Sequence, residues 1–252
     1  MTTGSINPYE PPKVEMTVVR PAGPDGAIEA GLAGHYEFEI GEVMSEAWGL
    51  TKGFKGSFWG AIVLIGLVQR VATWGILAAL GQDHIVWRIG VGMLVGALTA
   101  PLSLGLTMMC VRRAAGLPAT FSTAFAYFDK AGPAIAVGLL TSLFTGVGLV
   151  VLIVPGVYLM VAYTMAQPLI GDRNLGAWQA LETSRRAVSH EWFRLAGLLF
   201  VVGLLTGLSA LAGVIPVIWT LPWAMLVLGV IYRRIFGVAA ASDPARIGSV
   251  AP

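Results

Sequence analysis

Residues 133–170 read PAIAVGLLTSLFTGVGLVVLIVPGVYLMVAYTMAQPLI, thirty-eight positions without a charged side chain. A helix crossing a hydrocarbon core of about 30 Å needs about 20 residues at about 1.5 Å each. The run is therefore too long for one helix and right for two with a tight reversal. Pro155-Gly156 supplies the break, since proline removes a backbone donor and glycine tolerates the turn. The pattern predicts spans over 133–152 and 156–170.

The rest of the chain repeats this texture. Of 252 residues, 56% are hydrophobic and 12% charged, against roughly 25% charged in a soluble domain. That deficit excludes an ordinary water-facing surface of this size. The 32 Gly and 8 Trp suit lipid-embedded helices, where glycine is tolerated and tryptophan collects at the interfaces. Four more spans are expected: Phe58 to Leu80; Ile85 or Ile89 to Val111, kinked at Pro101; Phe193 to Ala212; and Val217 to Phe236.

Three shorter segments are amphipathic. Ile40, Val43, Met44, Ala47 and Trp48 share one helical face while Glu39, Glu42, Glu46 and Lys52 occupy the other. After Pro118, Thr120 is a candidate N-cap for a helix whose Phe121, Ala124, Phe125 and Phe128 line one side. From Ala177 to His190, Glu182 and Arg186 stand at i,i+4, and Trp178, Leu181 and Val188 share a side. Each is expected to lie along the membrane surface.

Bases set the orientation, because cytoplasmic loops retain Lys and Arg. With the N-terminus inside, the inner segments hold Lys52, Lys55, Arg112, Arg113, Lys130, Arg173, Arg185, Arg186, Arg194, Arg233 and Arg234; the outer turns hold Arg88. The expectation is an all-α, polytopic bundle of about six transmembrane helices with both termini cytoplasmic. Its domain limits are residues 1–36, an acidic, Pro-rich disordered tail; 37–238, the membrane domain; and 239–252, a disordered C-terminal tail. The stretch Asn7-Pro8-Tyr9-Glu10-Pro11-Pro12 is a candidate docking peptide for a protein partner. The first fifty-six residues lack the apolar core of a signal peptide.

A shift of 61 positions superposes Thr123 on Ser184, Ala126 on Ala187, Thr145-Gly146 on Thr206-Gly207 and Val154-Pro155 on Ile215-Pro216. A weaker shift of 133 sets Ala47, Thr51, Lys52 and Trp59 on Ala180, Ser184, Arg185 and Trp192. These offsets suggest three parallel repeats, each a cytoplasmic-face amphipathic helix followed by a membrane hairpin.

Arg70, with Gln69 beside it, falls near the middle of the first span. An arginine at that depth costs at least ~2.5–3.5 kcal/mol on insertion scales, and the six expected spans contain no Asp or Glu. Two readings remain open, an anion or headgroup site inside the bundle and an arginine snorkelling outward from a tilted helix. Arg112-Arg113, Arg185-Arg186 and Arg233-Arg234 are candidate contacts for anionic headgroups, and also serve as topology determinants. Gly92-x-x-x-Gly96, Gly203-x-x-x-Gly207 and Ser209-x-x-x-Gly213 would permit close helix approach, within the monomer before a dimer seam.

No catalytic residue, metal site or cofactor is expected. His35, His84 and His190 have no carboxylate or Cys at ligand spacing, no Gly-rich phosphate loop follows a strand, and the single cysteine, Cys110, reads as a small core residue. Nucleic acid is not an expected partner; membrane lipid is.

Val154-Pro155-Gly156-Val157-Tyr158-Leu159, Gln167-Pro168-Leu169-Ile170-x-Asp172 and Ala180-Leu181-x-x-Ser184 with Trp192 together resemble uncharacterised bacterial multi-pass membrane proteins. Their relatives include the membrane domain fused to some glycerophosphoryl diester phosphodiesterases. The resemblance covers roughly residues 40–237 and implies a helical bundle of the inner (cytoplasmic) membrane near lipid metabolism, with no catalytic residues carried over. The leading expectation is a non-enzymatic bundle that organises lipid or protein partners. The alternative is a transporter or channel for a small or anionic solute with Arg70 in its path.

Overall fold

The computed structural model describes residues 26–81 and 84–239, and these contain helices and no strand. In chain order the helices are α1 (Gly26–Leu32), α2 (Ile40–Leu50), α3 (Lys55–Leu80), α4 (Ile85–Leu98), α5 (Ala100–Ala114), α6 (Ala131–Val151), α7 (Ile153–Ala162), α8 (Ala166–Arg173), α9 (Ala177–Ser189), α10 (Trp192–Leu211) and α11 (Val214–Phe236); two 3-10 turns, Phe121–Phe125 and Phe128–Lys130, stand between α5 and α6. Five stretches are long and apolar enough to cross a membrane, and a sixth is obtained if the bent pair α4 and α5 counts as one span.

Pro101, Pro155 and Pro216 sit just inside helix starts, where their missing N–H has no partner to lose, whereas Pro222 lies within α11. Pro101 lies in the first turn of α5, so the break falls at Thr99, and the two halves meet at 51°. The reversal expected at Pro155-Gly156 occurs three residues earlier, at the extended residue Leu152, leaving Pro155 third in α7. Pro216 is likewise third in α11. Helix starts keep the 61-residue shift, Trp192 against Ala131 and Val214 against Ile153. The span expected over 156–170 is itself broken, between Ala162 and Ala166.

The core is built from α5, α8 and the second half of α11, whose Leu104, Met108, Leu169, Leu226, Val230 and Tyr232 are fully buried. Two glycines set close approaches here, Gly229 between α11 and α5 and Gly105 between α5 and the first 3-10 turn. A Cβ on Gly229 would lie 2.5 Å from the carbonyl oxygen of Cys110, and one on Gly105 2.0 Å from that of Ala124. By contrast, a Cβ on Gly92, Gly96, Gly203 or Gly207 would meet nothing within 4 Å. Those small-residue faces are therefore not the seams of the monomer, and the close packing occurs at glycines outside the repeated spacing.

Of the amphipathic segments, α2 buries Val43 and Ala47 and α9 buries Leu181, Ser184 and Val188, while Trp48 and Trp178 stay exposed. The segment after Thr120 forms the two 3-10 turns instead of a continuous helix, and the Thr120 N–H donates to Thr123 Oγ1 at 3.3 Å. Packing of Ala124 against Gly105 holds these turns on α5. Described helical structure also precedes position 37, in α1. Tyr36 is buried and donates to the Ala187 carbonyl at 2.6 Å, and His190 Nε2 meets the Leu32 carbonyl at 2.9 Å. These two polar contacts fix α1 and its linker to the end of α9. The Pro-rich stretch from Asn7 to Pro12 and the chain after Ala239 lie outside the described residues.

Candidate functional site

Helices α5, α8 and α11 each end in arginine: Arg112-Arg113, Arg173 and Arg233-Arg234. Cations belong there because the last carbonyls of a helix lack intrahelical partners and carry its negative dipole end. Most of these side chains cap a neighbour. Arg233 donates to the Ala114 carbonyl at 2.7 Å, Arg173 to that of Phe236 at 2.8 Å, and Arg113 to those of Leu50 and Lys52 at 3.2 and 2.6 Å. Arg233 and Arg234 also pair with Glu46, and Arg234 with Glu42 at 3.1 Å.

Next to this lattice the side chain of Asp172 is wholly buried. It lies 3.0 Å from Arg173 Nε, accepts the Tyr232 hydroxyl at 2.8 Å, and accepts the Ala239 N–H at 3.0 and 3.2 Å. A buried carboxylate needs this kind of pairing, because an isolated charge in low dielectric is very costly.

A cavity of about 750 Å³ opens beside Asp172, between the ends of α5 and α8 and the 3-10 turns. Its charged lining is Arg112, Lys130 and Arg173 against Asp129 and Asp172, and Thr120, Ser122 and Thr123 add hydroxyls. Arg112 is 7% exposed and donates through Nε to the Pro118 carbonyl at 2.9 Å. Lys130 Nζ donates to the carbonyls of Gly171 and Ile170 at 2.6 and 3.3 Å and stands 5.6 Å from the centre of the Tyr127 ring. Three bases and two acids therefore meet along the described lining of the cavity. On the 3-10 turns, Phe121, Phe125 and Phe128 are exposed and adjoin in series, the first pair tilted at 60° with ring centres 5.3 Å apart and the second stacked at 6.5 Å.

The remaining sequence candidates lie elsewhere. Arg185 and Arg186 both pair with Glu182, at 2.8 and 2.6 Å, on the exposed side of α9. The Glu182 carboxyl is held down to about 2 by hydrogen bonds from Arg185 and then Arg186. Gln69 Nε2 donates to Thr99 Oγ1 at 2.8 Å, bracing the break between α4 and α5. Its neighbour Arg70 is exposed on α3, along a stripe with Val63, Leu67, Val71 and Trp74. The pair is thus divided, Gln69 facing the bundle and Arg70 facing out. Thr206 bonds within its own helix, to the Val202 carbonyl, while the Thr141 and Thr145 hydroxyls have no partner.

The cavity residues Lys130, Tyr127 and Asp172 were not among the sequence candidates. One available signal pointed toward this group: Arg112, Arg173 and Arg234 are spaced by 61 residues each, which places Arg173 in register with the arginine pairs. Among the described residues no three His, Cys, Asp or Glu side chains converge as a metal site would require. Compared with family models, with curated proteins and with solved structures, the chain finds no match in any of the three.

Proposed function

We propose that this chain is a non-enzymatic bundle of the bacterial inner membrane that organises anionic lipid at its cytoplasmic face. The observation that carries the reading is the cation-lined cavity of Arg112, Lys130 and Arg173 beside the exposed ladder Phe121, Phe125 and Phe128. Aromatic rings of this kind favour the headgroup level of a bilayer, and bases there attract anionic lipid by about 1 kcal/mol each. The resemblance to membrane domains fused to glycerophosphoryl diester phosphodiesterases agrees with a lipid role.

The proposal includes three repeats closed into a ring. The hydroxyls matched by the sequence shifts, Thr51, Thr123 and Ser184, are all buried. Each surface element packs against the second helix of the preceding hairpin: the 3-10 turns on α5, α9 on α8, and α2 on α11. With this arrangement the basic helix ends face the cytoplasm, as do α2 and α9. The Trp59–Ile218 hydrogen bond of 3.1 Å counts against this orientation, because it joins the fifth residues of α3 and α11, helix starts that this orientation places on opposite sides of the membrane. Single cysteines at exposed Ser122 and Ala212, probed in intact cells with a membrane-impermeant reagent, test the orientation. Labelling at Ser122 before permeabilisation would overturn the orientation.

Transport has less support. Arg70 faces outward, and the centre is filled by Leu104, Met108, Met165 and Leu169. Purified protein in vesicles of mixed anionic and zwitterionic phospholipid is expected to retain anionic lipid on re-extraction and to pass no anion. Anion flux that Arg70→Gln abolishes, with no lipid preference, would reverse the conclusion.

A further inference from the structure

A cavity of about 690 Å³ lies between the α4–α5 break, α6 and α8, and shares no lining residue with the charged one. Ile135, Leu139, Leu143 and Val147 give it apolar walls, while Ser103, Ser142 and Gln167 add polar groups from three different helices. No charged side chain is in its described lining. Leu139 and Leu143 are exposed on α6, which is long and apolar enough to cross a membrane, so the cavity opens sideways along that helix. An apolar hollow of this size between helices, with a few polar groups converging on it, is the usual form of a small-molecule site.

Those polar groups are available. A helical hydroxyl ordinarily bonds to the carbonyl four residues back, and Thr107, Thr206, Ser209 and Thr220 do so here. The hydroxyls of Ser103 and Ser142 make no hydrogen bond among the described residues. Gln167 Oε1 lies 3.4 Å from Thr107 Oγ1, and the amide nitrogen, which can only donate, has no partner among them.

A matched cavity shows what is particular to this one. At the 61-residue offset Gly138, Ser142, Gly146 and Gln167 correspond to Leu199, Gly203, Gly207 and Leu228, and all four counterparts line a cavity of about 380 Å³ between α10 and α11. There, leucines stand in the places of Gly138 and Gln167, and the Thr206 hydroxyl is already bonded to Val202. The cavity beside α6 is thus the wider of the two and the one that carries free donors.

We infer that the cavity beside α6 binds an uncharged amphiphile, an apolar chain bearing a carbonyl whose oxygen accepts a hydrogen bond from Gln167, Ser103 or Ser142. The lining offers no counter-charge to an ionic group, and a lone charge in apolar surroundings is very costly. The amide nitrogen calls for an acceptor, and the apolar walls call for a hydrocarbon body. Acylglycerol esters and prenylated quinones share that chemistry, and both reach the site through the bilayer. The site is separate from the Arg112–Lys130–Arg173 cavity and stands or falls independently of the anionic-lipid reading.

The counterpart cavity supplies the variants. A Cβ on Gly138 would meet nothing within 4 Å, so Gly138→Leu fills the hollow without displacing backbone, and Gln167→Leu replaces the donor with the residue type found at position 228. Full-length protein in detergent micelles is titrated with tritiated decylubiquinone and, separately, with tritiated dioctanoylglycerol. Dodecane serves as the carbonyl-free competitor, and thermal unfolding of the ligand-free chains as the folding control.

Saturable binding of at least one probe is expected. Gly138→Leu abolishes it, Gln167→Leu weakens it about five-fold, as loss of one hydrogen bond implies, and Gly203→Ala in the counterpart cavity leaves it unchanged. Binding of the quinone alone or of the glycerolipid alone identifies the source, and binding of both supports recognition of the shared carbonyl. Absence of saturable binding by either probe overturns the site, as does equal binding by wild type and the folded variants. Dodecane competing as well as the unlabelled probes would show that the carbonyl is not read, and would overturn the ligand class. If Gly138→Leu fails to fold, Gln167→Leu decides; a ligand-free Gln167→Leu chain less stable than wild type would make the amide part of the packing and remove it from the site.

Discussion

The Arg234 guanidinium lies 3.0 Å from the Glu46 carboxylate, although 188 residues of chain separate them. The same carboxylate takes Arg233, so α2 and α11 are clasped by one acid and two bases. Glu46 is the less exposed acid, at 27% against 59% for Glu42, and screening weakens an exposed pair. Glu46→Gln is expected to cost about 1 kcal/mol in thermal unfolding and Glu42→Gln less than about 0.5 kcal/mol. A cycle with Arg234→Gln should return a coupling of about 0.5 kcal/mol or more; zero coupling would remove the clasp from the account of stability.

Ser184 spans another junction. Its hydroxyl donates to the Ala162 carbonyl at 2.6 Å and accepts the Met165 N–H at 3.2 Å, satisfying both sides of the break between α7 and α8. Thr51, at the matched position, only returns to the Trp48 carbonyl of its own helix. Since a buried unsatisfied group costs about 1–3 kcal/mol, Ser184→Ala should destabilise by that amount and Thr51→Ala by clearly less. Equal losses in chemical denaturation would show that burial, and not the junction, determines the cost.

Hydrophobic length and proline punctuation made the helical array legible, because both act locally. The reversal expected at Pro155 falls three residues early, at Leu152, since a proline is accommodated in the first turn of a helix as well as before it. Faces were harder to assign. The acids of α2 read as a solvated side, yet Glu46 is held by Arg233 and Arg234 from the far end of the chain. Nothing local marks Asp172 as enclosed, because an interfacial acid has the same neighbours in sequence as one held by Tyr232 and the backbone of Ala239. The depth of Arg70 follows from counting along its helix, whereas the direction it faces depends on which side of α3 meets α5.

The glycine spacings make opposite predictions from the sequence and from the structure. Gly203→Ala and Gly207→Ala meet open space and should leave unfolding unchanged or slightly stabilised, as alanine favours helix. Gly105→Ala places a methyl group 2.0 Å from a backbone oxygen, and Gly229→Ala 2.5 Å. Neither backbone can yield cheaply, so losses of about 1–3 kcal/mol are expected. Cross-linking yields of Gly203→Ala and Gly207→Ala would reveal any dimer seam on α10; a stability loss in either would return that face to the monomer's packing.

Tyr36 should make the attachment of α1 sensitive to alkali. Burial, and next the nearby Glu191 charge, push its phenol from the ordinary 10.0 up to about 12. A raised value in the folded chain contributes stability that is complete below pH 10 and is lost as pH passes through about 12. Protease access to the segment before Ile40 should therefore rise across that interval in wild type. Tyr36→Phe, which also loses the bond to Ala187, should show higher access at neutral pH and no such rise. A flat wild-type profile would detach the phenol from this role.

Arg70 yields the prediction in which sequence and structure diverge most. A buried anion site would make its removal damaging, but the side chain stands exposed among Leu67, Val71 and Trp74. An arginine on a lipid-facing stripe must reach a headgroup or thin the bilayer, at a cost of at least ~2.5–3.5 kcal/mol on insertion scales. Replacing it with leucine extends the apolar stripe and removes that cost. Arg70→Leu should therefore insert more efficiently and unfold no earlier than wild type, whereas Gln69→Leu loses its bond to Thr99 and should loosen the junction of α4 and α5. Side-by-side insertion assays and thermal scans decide the matter. If Arg70→Leu is the more damaging of the two, the residue contacts something beyond lipid, and the face of α3 around Trp74 is where that contact should be sought.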